Sequence, residues 1–121
     1  MPSARQAAGA TAETAACEFL EAAGLTVLRR NYSRRSGELD IVAQQGDVLI
    51  VAEVRLRASE AFGGAAGSID WRKRARLIRT TQQLLQQNRD WAKLRVRFDA
   101  VLLRPAGQRY HIEWIKHAFS A

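Results

Sequence analysis

One cysteine in 121 residues excludes an internal disulfide and any cysteine-based metal site. That residue, Cys17, falls within the first predicted helix and reads as a small core side chain. No apolar run approaches the ~20 residues needed to cross a bilayer, and Met1-Pro2-Ser3-Ala4-Arg5 lacks the apolar core of a secretory signal. The two histidines, His111 and His117, stand six residues apart on a terminal strand and its tail, a spacing that makes no metal site. Repeats, low-complexity tracts and linkers are also missing. These absences lead to the expectation of a single cytoplasmic domain over residues 1–121, in a reducing compartment and with no membrane partner. Lysine is scarce as well, since arginine supplies 16 of the 19 basic residues.

What is present is ordinary in amount and unusual in sign. Apolar residues make up 47% and charged residues 26%, as in a globular domain. The net charge is +7, from 19 basic and 12 acidic residues, and the pI is near 10.7. A polyanion partner follows, and arginine dominance favours phosphate, which a guanidinium grips through two parallel hydrogen bonds. Solubility alone is the other explanation of such a charge.

Along the chain, Ser3-Ala4-Arg5-Gln6 reads as a capping box opening a helix, with Ala8, Ala12, Ala16, Phe19, Leu20 and Ala23 as its apolar stripe and Gly24 as its end. Glu13 lies off that stripe. Leu25 to Tyr32 forms a strand with a basic end. The turn Ser33-Arg34-Arg35-Ser36-Gly37 then offers either a solvated loop or a phosphate-gripping rim. A hairpin spans about Glu38 to Arg57, and the glycine-rich Ala58–Gly67 is either a substrate-covering loop or a connector. Ser68 is the expected cap of a second helix running to about Asn88, with Leu77, Ile78, Thr81, Leu84 and Leu85 as its core stripe. Five cations lie between Arg72 and Arg79 with no acid among them; like charges at i, i+4 cost helix stability, which suggests a phosphate track. Trp71 stacks on a base or seals the helix to the sheet, and core packing is the expectation. Two further strands, Arg95–Arg104 and Arg109–Lys116, complete an α+β sandwich: a mixed sheet of about five strands flanked by two helices.

The chemistry concentrates in Gly37-Glu38-Leu39-Asp40 and Glu53-Val54-Arg55. With Gln45-Gly46 as a two-residue loop, Glu38 faces Glu53 and Asp40 faces Val51, so that Glu38, Asp40, Glu53 and Arg55 share one face. Three carboxylates on a largely apolar sheet resist desolvation and repel each other. A bound Mg²⁺ or Mn²⁺ resolves this; so does an ion pair with Arg55. Asp99, on the fourth strand, either lies near these acids or pairs with an arginine, and the pairing is the expectation.

A series running from Gly9, Glu13, Ala16 and Phe19-Leu20 through Arg29-Arg30-Asn31, Gly37-Glu38-Leu39-Asp40-Ile41-Val42, Glu53-Val54-Arg55-Leu56-Arg57, Phe62-Gly63 and Lys73 to Arg97-Phe98-Asp99 resembles the bacterial YraN, or UPF0102, family of small endonuclease-like proteins. The resemblance covers about Gly9 to Leu103. It implies a core similar to restriction endonucleases and Holliday junction resolvases, the PD-(D/E)xK nucleases. By that resemblance Asp40 matches the first acid, Glu53 the acid of the E-x-K pair, and Glu13 a helix glutamate that can join the metal shell. Arg55 stands where the motif has lysine. Arginine stays charged and serves as no base, although it can hold a phosphate, and Lys73 is the candidate for a relocated lysine.

The leading expectation is thus a Mg²⁺- or Mn²⁺-dependent endonuclease acting on structured DNA, branched or single-stranded. Asp40, Glu53, Glu38, Arg55 and Lys73 would be catalytic, and Asp40 and Glu53, with Glu38 or Glu13, would hold the metal. Arg34, Arg35, Arg57, Arg72, Arg76 and Arg79 would hold the nucleic acid. The alternatives are a non-catalytic nucleic-acid-binding module with a decayed site, and an interaction protein for an acidic partner. A homodimer is compatible with the resemblance, because junction-cutting members of that fold act as pairs.

Overall fold

The computed structural model describes residues 4–57 and 69–121, with side chains from Thr11 onward. Helix α1 (Ala4–Ala22) is followed by β1 (Thr26–Arg34), β2 (Gly37–Gln45), β3 (Val48–Leu56), α2 (Trp71–Gln87), a 3-10 turn (Trp91–Lys93), β4 (Arg95–Ala106) and β5 (Arg109–Phe119). The strands form one sheet in chain order, β1-β2-β3-β4-β5. Neighbours are antiparallel except β3 and β4, which run parallel because α2 carries the chain back between them. The expected α+β architecture of a mixed five-stranded sheet and two helices is the one that forms. Among the described residues, no helix is long and apolar enough to cross a membrane.

The two helices cover different faces. Ala12, Ala16, Cys17 and Leu20 of α1 pack on Ile41, Ile50, Ala52 and Val101. Leu77 and Leu84 of α2 pack on Val42, Leu49, Val51 and Phe98. Strands β2 and β3 are therefore apolar on both sides, which explains their near-continuous hydrophobic runs. Cys17 is buried as expected, and desolvation pushes its thiol pKa up. Asn31, at φ 53°, breaks the alternation of β1. On one side of it Arg30 reaches Glu13 and Thr14 on α1; on the other, the Tyr32 hydroxyl donates to Gln87 of α2 at 2.8 Å.

Three expectations are corrected. The β2–β3 turn is Gly46-Asp47 rather than Gln45-Gly46: Gln45 pairs with Val48 and Ile41 with Ala52. Gly46 takes φ 59° at the first loop position, while the Asp47 carbonyl accepts the Arg95 N–H at 2.9 Å and so ties the turn to the start of β4. The second helix starts at Trp71, and its cap is Asp70, whose carboxylate accepts the Lys73 N–H at 2.9 Å; Ser68 and the Ala58–Gly67 segment lie outside the described residues, as does Ser3. Trp71 does not seal the helix to the sheet, for it is 72% exposed.

Asp99 is fixed by the strongest polar network in the sheet. Arg97 donates to both of its oxygens at 2.8 Å, the Trp114 indole N–H donates at 2.8 Å, and the His117 backbone N–H at 2.9 Å. The last bond holds His117 at φ 55°, where the β4–β5 register shifts between Phe98 and Ala100. The expected arginine partner is confirmed. Asp99→Ala is expected to destabilise the fold by about 3–5 kcal/mol in urea unfolding, because it strands a guanidinium and two N–H donors.

Candidate active site

Extending the observed β2–β3 register one pair beyond Ile41 and Ala52 sets Asp40 against Glu53, whereas a Gln45-Gly46 loop would set it against Val51. A slip of two residues leaves every side chain on its original face, so the acids still converge. The backbone ladder ends at Ile41, and the Asp40 carboxyl takes its place by accepting the Val54 N–H at 2.9 Å. Asp40 also hydrogen-bonds to Glu53, which is itself buried.

Burial first, and then the Glu53 charge beside it, push the Asp40 pKa up to about 8 from an ordinary 3.8. The Val54 N–H opposes that shift, and the more distant Glu13 charge adds to it. A carboxyl with such a value keeps its proton at neutral pH. The Asp40–Glu53 pair thus carries about one negative charge, held under α2.

Glu53 is met from the helix. Lys73 Nζ lies 2.9 Å from its Oε1, so the chain does bring the candidate relocated lysine to the acid pair. Asp40, Glu53 and Lys73 line a cleft of about 160 Å³ between sheet and helix, with Glu38 and Arg76 completing its polar wall. Gly37 sits at the tightest approach: a Cβ there would stand 3.3 Å from Thr80 Oγ1, at a φ of +150°. One residue earlier, Ser36 is 2.8 Å from Thr80 Oγ1 and donates to Gln83 at 2.7 Å. The turn that follows Arg34 is thereby docked on the helix that carries Arg76 and Arg79.

Other expected site residues fall elsewhere. Arg55 is half-buried on β3 and outside the cleft lining, and Arg57 follows at the end of that strand. Glu13 is paired with Arg30 at 3.4 Å. Glu38 is exposed at the cleft wall. Among the described residues, no three carboxylate, histidine or cysteine side chains gather closely enough to hold a metal ion together. The carboxyl pair, and not a cluster of three or four, is what the fold assembles. Arg76 emerges as the cleft's second cation. Its spacing of three residues from Lys73, which sets both on one helix side, is the sequence signal for it.

The fold and cleft define a small α+β protein with a cation-lined pocket around a carboxyl pair, Glu53 buried and Asp40 half-buried. Residues 12–103 match the model of a family described as "Uncharacterised protein family UPF0102". The chain is 44% identical to a UPF0102 protein of Stutzerimonas stutzeri over 116 residues, 96% of this chain and 97% of the relative. It is likewise 44% identical to a UPF0102 protein of Xanthomonas euvesicatoria over 121 residues, 100% of this chain and 98% of the relative. A third, from Pseudomonas savastanoi, is 41% identical over 120 residues, 98% of each chain. The chain belongs to the UPF0102 family.

The raised Asp40 value sets a pH dependence. Between 3.8 and about 8 the folded chain holds a proton that the unfolded chain has released, so stability falls as pH rises through that window and levels off above it. Asp40→Asn, which keeps an oxygen for the Val54 N–H, is expected to be about 1–3 kcal/mol more stable than wild type at about pH 8.5 and roughly equal near pH 4. Urea unfolding in EDTA at the two pH values checks this.

Proposed function

We propose that this chain is a divalent-metal-dependent phosphodiesterase that cuts structured DNA, branched or single-stranded, in the cleft between the β2–β3 hairpin and α2. The observation that carries the reading is the Asp40–Glu53 pair in the cleft: Glu53 is buried, Asp40 is half-buried against it, and the Asp40 pKa is pushed up to about 8. Mg²⁺ or Mn²⁺ fits this donor set, because hard cations take carboxylate oxygens and retain several waters, so two side chains suffice as the protein's share of the shell. When bound, such an ion supplies a water of lowered pKa and offsets charge on the pentacoordinate phosphate.

The chain's own residues supply the rest. Asp40, in its deprotonated form, and Glu53 would hold the ion, and the Val54 N–H keeps the Asp40 Oδ2 aimed. Lys73, held at Glu53, orients the attacking water and stabilises charge developing on phosphate oxygen, as a compact ammonium with three donors can. Arg76, on the same wall, grips the phosphate. Arg55 adds positive potential from the β3 side, and Glu38 tunes the field from the rim. Arg34, Arg35, Arg57, Arg72 and Arg79 hold the flanking backbone. The reading is further supported by the arrangement of the acids on a hairpin that continues through a helix into a parallel strand, the order implied by the resemblance to the PD-(D/E)xK core.

One observation favours a second reading. Lys73 already brings a neutralising charge to Glu53 at 2.9 Å, as expected of a non-catalytic nucleic-acid-binding module whose acids belong to an ion-pair cluster. Two measurements separate them. The enzyme reading expects calorimetric binding of Mn²⁺ with release of about one proton near neutral pH. It also expects Mn²⁺-dependent cutting of branched or single-stranded DNA that is abolished in Asp40→Ala and Glu53→Ala and reduced about 10²–10³-fold in Lys73→Ala. No heat with either metal, alongside salt-sensitive DNA affinity, would leave the binding module. An inactive wild type restored by Arg55→Lys would mark a decayed site.

A further inference from the structure

We propose that Trp71 and the arginine face of α2 form a platform for an unpaired stretch of DNA strand, with one base stacked on the indole and its phosphates led by Arg72 and Arg76 into the Asp40–Glu53 cleft. The inference rests on the phosphodiester reading for the fate of the strand, and on the surface alone for its binding.

Trp71 is the anomaly that motivates it. At 72% exposure it stands well above Leu56 at 39% and Val96 at 36%, the other exposed large apolar residues among those described. The chain's other two tryptophans are half-buried and engaged: Trp114 donates to Asp99, and Trp91 lies under the Arg29 guanidinium. An indole left in water forgoes a large burial gain, and it is enriched where a partner covers it.

The surroundings of the ring select the partner. The Arg72 guanidinium sits 5.3 Å from the ring centroid. At 100° per residue, Lys73, Arg76, Arg72 and Arg79 succeed one another around the helix in steps of roughly 20–60°, from the cleft toward Trp71. No acid interrupts residues 71–79, and Asp70 just before them is occupied as the helix cap. An aromatic ring at the end of a cationic track is the recurring device for single strands, since every unpaired base offers a π face and every phosphate a charge. A duplex hides those base faces. The ring and the cleft lie about one helix width apart, ~10–12 Å, a span that neighbouring nucleotides bridge.

The test is fluorescence anisotropy in EDTA, where no metal-dependent cutting occurs. The titrated DNAs are a labelled oligothymidine of about 16 nucleotides and the blunt duplex it forms with oligoadenine. Trp71→Ala is expected to weaken single-strand binding about 5- to 100-fold while duplex affinity changes by less than about twofold, and Trp71→Phe is expected to retain most of the wild-type affinity. Thermal melting of each variant verifies that it is folded. Wild-type-like single-strand binding by Trp71→Ala, an equal loss on both DNAs, or no strand binding by the wild type would each overturn the proposal, the last pointing to an acidic protein partner. Because metal and cleavage play no part in the readout, failure of the nuclease reading and failure of this one are scored separately.

Discussion

Two carboxyl groups in contact beneath a helix constrain everything else about this fold. Asp40 and Glu53 come from adjacent, largely apolar strands, so Asp40 has too little water to ionise freely beside the Glu53 charge. Two full charges at ~4 Å repel by about 4 kcal/mol at the effective dielectric of a protein margin, which is enough to hold a proton on one of them. The remaining negative charge calls for a cation from above, and the helix supplies Lys73. The close fit of Gly37 against Thr80 and the Ser36 bonds to Thr80 and Gln83 then fix the helix at the height that contact needs.

The sheet also contains a fully buried aspartate, Asp99, and its surroundings contrast with those of half-buried Asp40. Asp99 accepts from a bidentate arginine, an indole and a backbone amide, so its charge is fully met by protein donors. Asp40 accepts one backbone N–H and faces another acid. The same side chain is locked in one place and left short of donors in the other. A group kept short of donors in a cleft is available to something that enters it, whereas a saturated one holds strands together.

Much of this was readable from the chain because it depends on period and spacing. The element order, the α1 stripe at Ala12, Ala16 and Leu20, and the doubly buried β2 and β3 follow from hydrophobic pattern. The acid pair survived a wrong turn assignment only because the register error was an even number of residues. The rest depends on long-range geometry. The Asp99 network includes a backbone N–H eighteen residues away, held in a left-handed conformation that no sequence pattern announces. Asn31 reverses the facing of β1, which is how Arg30 reaches Glu13. The exposure of Trp71 depends on where α2 begins, and the cap proved to be Asp70.

The exchange of lysine for arginine at position 55 looks different once Lys73 is placed. On an arginine-rich chain, a lysine retained at an acid pair suggests that the position needs what arginine lacks. An ammonium is a compact charge with three rotatable donors, able to serve Glu53 and a third group in the cleft at once. A guanidinium would fork across Glu53 and fill the space instead. Arg76, one turn along, faces the opposite demand: gripping a phosphate benefits from a planar, permanently charged fork. Under the proposed phosphodiesterase reading, the two cations on the cleft wall would divide the work by their chemistry, with Arg55 outside the lining.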